Sequence, residues 1–255
     1  MTIIKFDAGF ALTVSMYHPD RYSSDVVRIV LETLVSARLQ PTRADLYKVR
    51  PEQADDSSLY LGEYQVARVE LDSANKDLPL DRMVLTECVL YWQLPDRSVC
   101  DVRVKTKFYR DGTFGMNLDF PYSYLFEEPR LTEPIRRYLW MEIETLAMLL
   151  FESGQFFYGG IYFEEDAPCL LDLTEKERIL PVDFAFYSSA VVETLGRAAL
   201  LETLIGANAL RHVTGGAVYF AWSSLFESEE QVSVPTRFRA FVERFKPGKR
   251  GGLQA

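Results

Sequence analysis

Hydrophobic and polar positions alternate with two different periods along this chain. Five segments of the first half have the period-two pattern that is typical of β-strands: 2–17, 59–71, 83–94, 100–110 and 113–120. Residues 24–39 instead place apolar side chains at helical spacing, with Ser24 as the predicted N-cap and Pro41 as the stop signal. The pattern therefore predicts a strand and a helix, followed by an antiparallel meander.

Two features refine the predicted meander. Asp111 and Gly112 form a hairpin signal, because tight hairpin turns need a positive φ angle. Arg103, Lys105 and Lys107 lie at period two, so they share one face of a strand, with Val102, Val104 and Thr106 beneath them. We interpret this as a solvent-facing strand, with an anion site as the alternative.

The second half of the chain has a helix–strand pattern. A helix over 133–153 begins after Thr132, carries Pro134 in its first turn and contains the run TLAMLLF, which predicts that it is buried. The remaining predicted elements are a strand in FFYGGIYFE, a helix over 188–207 broken near Gly196, a strand over 212–222 and a helix over 235–245.

A short sequence repeat occurs in this half. YGGIYF at 158–163 and TGGAVYF at 214–220 each follow a helix that contains ETL. Paired glycines in a strand often mark a close approach of two backbones. The repeat is either a coincidence or a duplicated α–β unit in which the two strands approach each other.

Together these elements predict an α+β fold. We expect a mixed, largely antiparallel sheet with helices packed mainly on one face, and the repeat adds the option of two similar α/β sub-units. The predicted parts are 1–130 (strand, helix and meander), 131–245 (helix–strand units) and 246–255 (a loose basic tail). The first two parts either form separate layers or share one continuous sheet.

Composition and charge narrow the class of partner. The 255 residues are 48% hydrophobic and carry a formal net charge of −9, with 16 acidic and 6 basic residues in 131–235. Such a chain repels phosphate backbones and attracts positive surfaces, so we expect a basic protein partner and no nucleic acid. The odd count of three cysteines, the lack of a signal-peptide pattern and the lack of an apolar run of ~20 residues predict a cytoplasmic protein without a membrane partner.

The sequence contains few signals of catalysis. It has no G-x-G fingerprint, P-loop or G-x-S-x-G elbow, and its two histidines, His18 and His212, have no second ligand at a useful spacing. We therefore expect no cofactor and no resident metal. The acids Glu164, Glu165 and Asp166, with Asp172 and Asp183 nearby in sequence, are the remaining candidates, either as the solvated end of a strand or as a cation site.

Residues 130–226 resemble the immunity proteins of bacterial polymorphic and type VI-delivered toxins. The resemblance rests on the long apolar helix before FFYGGIYF, the helix containing VVETLG, and the segment TGGAVYFAWSSLF. It implies a small acidic cytoplasmic protein that neutralises a cognate toxin by occluding the toxin's active site. It transfers no individual functional residue to this chain.

Three hypotheses follow from these observations. The first is a non-catalytic acidic binding protein of the immunity type, with Tyr162, Glu164, Glu165, Asp166 and Asp172 as candidate partner-binding residues. The second is an enzyme that uses a divalent cation held by the carboxylates near 164–183. The third is an oligomeric structural or assembly component whose aromatic strands bury an interface.

Overall fold

The fold is α+β, as predicted. The computed structural model describes residues 3–4, 11–47, 66–71, 78–94, 99–109, 112–122, 125, 131–153, 156–163, 184–195, 210–213 and 216–220. Its strands are β1 (Ile3–Ile4), β2 (Ala11–His18), β3 (Gln40–Tyr47), β4 (Val66–Glu70), β5 (Val84–Gln93), β6 (Val99–Phe108), β7 (Phe114–Pro121), β8 (Tyr158–Phe163), β9 (Phe184–Ser188), β10 (Leu210–Val213) and β11 (Gly216–Phe220). Its helices are α1 (Ser24–Ser36), α2 (Glu133–Glu152) and α3 (Ser189–Leu195).

The strands form one sheet in the order β10-β11-β9-β8-β2-β7-β6-β5-β3-β4. All neighbours in this order are antiparallel, whereas β1 pairs in parallel with the start of β6. The prediction of a mixed, largely antiparallel sheet is therefore confirmed. Because β2 pairs with both β7 and β8, the sheet runs continuously across the predicted boundary at residue 130.

The central strand β2 shows how the two faces of the sheet differ. Leu12, Val14 and Met16 are fully buried in the hydrophobic core, which also contains the inner faces of α1 and α2. Thr13 and Ser15 point to the opposite face, because successive side chains of a strand alternate. The helices α1 and α2 contact each other on the Leu12 side, so the prediction that helices pack mainly on one face holds for these two.

The ends of α1 differ from the predicted ones. The N-cap is Ser23, whose side chain accepts a hydrogen bond from the backbone N–H of Val26, and not Ser24. At the other end the helix stops after Ser36, where Arg38 takes a left-handed conformation with φ of 69°. Pro41 is therefore not the stop signal, and it lies instead in β3, opposite Leu90 of β5.

The strand β3 is absent from the predicted meander and lies between β4 and β5. Its pattern is short, with buried Ala44 and Leu46 alternating with half-buried Arg43 and Asp45. Among the strands that the structure describes, only β5, β6 and β7 follow one another as a meander. At the predicted hairpin between β6 and β7, Gly112 has the expected positive φ, at 80°.

The strand predicted over 212–222, which includes the second glycine pair, is part of a hairpin and not a single strand. Instead of one strand over 212–222, β10 and β11 pair with each other, with Val213 opposite Gly216. The strand β9 lies between β8 and β11 and pairs with both. The two glycine-containing strands therefore do not approach each other, and this part of the duplication hypothesis is wrong.

The helix α2 is only half-buried, although its sequence predicts full burial. Its inner face includes Ile143 and Leu150, together with a buried acid, Glu144, which accepts a hydrogen bond of 2.6 Å from the indole N–H of Trp140. Its outer face exposes large apolar side chains, among them Met141 at 48%. The apolar side chains of α2 therefore lie partly in the core and partly on the exposed face of the helix.

Several predictions lie outside the described residues. These are the helix break near Gly196, the helix over 235–245 and the basic tail 246–255. Of the helix predicted over 188–207, the structure describes only α3, which runs from Ser189 to Leu195.

Candidate functional site

A half-open groove of about 940 Å³ lies at one end of the sheet, on the side covered by the helices. Its walls come from the C-terminal end of α1, the beginning of β3, the adjacent ends of β5 and β6, and the first turns of α2. Clefts of this size are typical of sites that bind a small molecule or a protruding part of another protein. The groove is therefore built jointly by two helices and three strands.

The lining of the groove combines apolar and polar groups. Trp92, Leu94 and Val99 are buried residues on the sheet side, where Trp92 packs edge-on against Phe120 with ring centroids 5.6 Å apart. The polar groups of the lining come from Arg38, Gln40, Gln93, Tyr91, Tyr138 and Glu142. A ligand would therefore meet an apolar floor with polar groups around it.

Two opposite charges of this groove act on the phenol of Tyr138. The negative charge of Glu142 and the hydrogen bond that its carboxylate accepts from the phenol raise the pKa of Tyr138. The positive charge of Arg38 acts on the same phenol in the opposite sense. The end of α1 and the first half of α2 thus meet at this side chain.

Exposed apolar side chains continue from the groove along the outer face of α2. Tyr138, Met141 and Leu149 are 47%, 48% and 39% exposed, and Val35 in the last turn of α1 is 43% exposed. We call these four residues the helical patch. Tyrosine and methionine are enriched where proteins contact one another, because each buries a large area and adapts to its neighbours.

The opposite face of the sheet carries a buried polar row. Thr13 donates a hydrogen bond of 2.9 Å to one carboxylate oxygen of Asp119, and the Nζ of Lys105 lies 2.7 Å from the other. Beside this row, the hydroxyl of Ser15 donates to the side-chain oxygen of Asn117 at 2.6 Å. Both oxygens of Asp119 thus have a partner within the sheet, one on β2 and one on β6.

This row also tests the interpretation of the basic residues on β6. Val102 and Val104 are fully buried beneath that strand, as predicted. Lys105, however, reaches the buried carboxylate of Asp119, while its own side chain is 40% exposed. The lysine is therefore part of an ion pair inside this face, and the described contacts favour neither a simple solvated strand nor a site for a free anion.

Of the predicted partner-binding residues, Tyr162 is the only one within the described part of the chain. It lies on β8 opposite Thr13 and is buried, with 4% of its surface exposed. Glu164, Glu165, Asp166 and Asp172 lie outside the described residues, as does Asp183 of the proposed cation site. The role of these acids therefore stays a prediction.

Candidate groups for metal or thiol chemistry are limited in the described residues. Within these ranges no cluster of three or more histidine, cysteine or acidic side chains could hold a metal ion. Cys88 and Cys100 are buried, and burial raises the pKa of Cys88 to about 12 and that of Cys100 still further. Such thiols are inert as nucleophiles at neutral pH.

The histidine of β2 is also structural. His18 packs against the ring of Phe114 at 4.8 Å, and its Nδ1 accepts a hydrogen bond of 3.1 Å from the backbone N–H of Asp20. Burial lowers its pKa, against smaller opposing effects of Asp20. Its neutral ring therefore fixes the turn that leads from β2 to α1.

Sequence reasoning missed the groove and the helical patch. The signal for the patch was present, since Tyr138, Met141 and Leu149 follow one another at helical spacing. The signal for the groove was weaker and consisted of a helix end, SARLQ, that has arginine where glycine is usual.

No helix in the described ranges is long and apolar enough to cross a membrane. Comparison of the chain with protein-family models, with curated proteins and with solved structures finds no match.

Proposed function

We propose that this chain is a non-catalytic binding protein of the cytoplasm, which neutralises a positively charged protein partner by direct contact in the manner of an immunity protein. The observation that carries the proposal is the helical patch. Its four large apolar side chains are between 39% and 48% exposed although the same helices also supply a well-buried core. Patches of exposed apolar side chains are typical of surfaces that bind other proteins.

The charge of the chain supports a basic partner. A net charge of −9 attracts positive proteins over long distances and raises the rate at which they meet this one. Contact at the patch then supplies short-range affinity, since tyrosine and methionine exclude water over a large area. In this proposal charge steers the partner, and apolar contact holds it.

The test uses the genome neighbourhood of the chain. If an adjacent open reading frame encodes a toxin-like protein, its product is purified and its affinity for this chain is measured by calorimetry at low and high salt. We expect 1:1 binding that weakens as salt rises, and we expect co-expression of this chain to restore the growth of a bacterial host that produces the toxin.

Variants then locate the contact. Tyr138→Ser combined with Met141→Ser should weaken binding by roughly a hundredfold, since two central interface side chains commonly contribute ~1–2 kcal/mol each. The matched control, Glu133→Ser with Arg137→Ser, lies on the same helix, leaves the net charge unchanged and should bind like the wild type. Equal affinity of both double variants would place the contact elsewhere, and absence of binding by the wild-type chain would refute the proposed function for this pair.

A further inference from the structure

One residue that lines the groove, Arg38, has an unusual backbone conformation. The end of α1 is closed by two backbone hydrogen bonds, from Arg38 to Val35 and from Leu39 to Leu34, each 3.0 Å long. This is the pattern of a Schellman motif, in which the residue after the helix is left-handed and usually glycine. Here that residue is Arg38, with φ of 69°.

Arginine at this position strains the backbone. A left-handed conformation brings Cβ close to the following carbonyl oxygen in any residue that has a Cβ, and glycine avoids the strain. Among the described residues other than glycine, Arg38 is alone in having a positive φ. Backbone strain of this kind is often concentrated where a side chain has a function.

The surroundings of the Arg38 side chain also favour a function for this residue. Four other arginines of the described part pair with carboxylates of that part: Arg28, Arg43, Arg68 and Arg137. Arg38 is exposed, lines the groove and makes no such pair with a described residue. Tyr138, on whose phenol the charge of Arg38 acts, lines the same groove.

We propose that the groove binds a small organic anion, in which an apolar body ends in a single carboxylate that pairs with Arg38. The guanidinium group can donate two parallel hydrogen bonds to a carboxylate, which defines both position and orientation. The apolar body then lies on the floor formed by Trp92, Leu94 and Val99. This inference concerns a small ligand and does not depend on the protein partner.

The second charge of the groove limits the ligand. Glu142 lines the same groove, and its negative charge, which also acts on the phenol of Tyr138, repels a second anionic group. A ligand with one carboxylate is therefore favoured over a dicarboxylate or a phosphate ester. The volume of about 940 Å³ is sufficient for a body of one or two fused rings or an equivalent aliphatic chain.

The test compares a charged ligand with its uncharged isostere. Binding of 2-naphthylacetate and of the neutral 2-naphthylacetamide to the full chain is measured by ligand-observed NMR titration. We expect the carboxylate to bind roughly tenfold more tightly than the amide, which is the usual effect of one charge-assisted hydrogen-bond pair. Arg38→Gln should abolish this preference, whereas Arg82→Gln, which removes an equal charge from an exposed site outside the groove, should retain it.

A third variant separates binding from folding. Arg38→Gly relieves the left-handed strain, so it should raise the midpoint of thermal unfolding by about 2 °C while it removes the preference for the carboxylate. Gain of stability with loss of recognition is the result expected of a residue kept for its ligand. Equal binding of the two naphthyl compounds to the wild type, no binding of either, or an unchanged preference in Arg38→Gln would each overturn the proposal.

Discussion

The hydroxyl oxygen of Tyr22 accepts a hydrogen bond of 3.1 Å from the backbone N–H of Leu85. The contact lies where β3 and β5 change register, between the pairs Asp45–Glu87 and Leu46–Leu85. A side chain from the segment before α1 thus completes the hydrogen bonding of a strand that comes much later in the sequence. Burial also raises the pKa of Tyr22 to about 12, so the phenol stays neutral at any physiological pH.

Removal of this hydroxyl should destabilise the sheet locally. In Tyr22→Phe the N–H of the fully buried Leu85 loses its acceptor, and we expect a loss of about 1–3 kcal/mol in the free energy of unfolding, measured with urea. Tyr91→Phe is the control, because Tyr91 is a half-buried residue at the groove, and it should change stability by less than about 0.5 kcal/mol. Equal stabilities of the two variants would contradict the role of Tyr22.

The buried polar row predicts an energetic coupling between Thr13 and Asp119. A double-mutant cycle with Thr13→Val and Asp119→Ala should give a coupling of about 1.5–3 kcal/mol, since the acceptor is a charged carboxylate. A second cycle with Thr33→Val and Asp119→Ala serves as the control, because Thr33 bonds within α1, and it should be additive to within about 0.5 kcal/mol. Additivity in both cycles would mean that the hydrogen bond contributes nothing to stability.

The pKa of His18 predicts how stability depends on pH. Its value is lowered in the folded state by burial, so the unfolded chain binds the proton more tightly. Stability should therefore be complete above the unfolded value of 6.5 and should fall as the pH decreases through it. Urea unfolding at pH 7.5, 6.5 and 5.5 should give a smaller decrease for His18→Gln than for the wild type, and identical slopes would count against this account.

The glycine at 159 predicts a steric requirement. A Cβ at this position would overlap the backbone oxygen of Ser15 and the ring of Phe186, so Gly159→Ala should cost about 1–3 kcal/mol or more. At Gly112 a Cβ would have no heavy atom within 4 Å, and only the φ angle of 80° opposes a side chain. Gly112→Ala should therefore cost about 1 kcal/mol. Thermal unfolding that ranks the two variants in the reverse order would show that β8 can shift to admit the methyl group.

The buried thiols predict slow chemical labelling. In a Cys169→Ser background, Cys88 and Cys100 are the only thiols, and burial keeps both protonated at pH 8. Ellman's reagent should therefore leave the native protein almost unlabelled over minutes and should label two thiols in 8 M urea. Rapid stoichiometric labelling without denaturant would indicate that the sheet opens around β5 and β6.

The elements that were predicted correctly are those whose own sequence carries a clear hydrophobic period. The helix α1 and the strands β5, β6 and β7 each have a clear period over at least eight residues, so their own sequence is sufficient to define them. The strand β3 was missed because its alternation is short and begins beside Pro41, which was interpreted as the end of a helix. Local patterns also gave no reason to place β3 between β4 and β5.

The groove depended on information that a single sequence does not contain. Arg38 and Trp92 line the same groove although they are far apart in the chain, and only the order of strands in the sheet brings them together. The half-burial of α2 has a similar cause, since the sequence shows which positions are apolar and not which of them find a partner. Met141 and Ile143 have comparable character, yet one is 48% exposed and the other fully buried.

The position of β2 between β7 and β8 has a consequence for biosynthesis. The strand β2 lies in the middle of the sheet, and its second neighbour, Tyr158–Phe163, is translated much later than β2 itself. Until then β2 exposes one unpaired edge on the nascent polypeptide. Contacts between such distant segments slow folding and lengthen the exposure to aggregation. Chaperone dependence of the yield should therefore decrease once translation has passed Phe163.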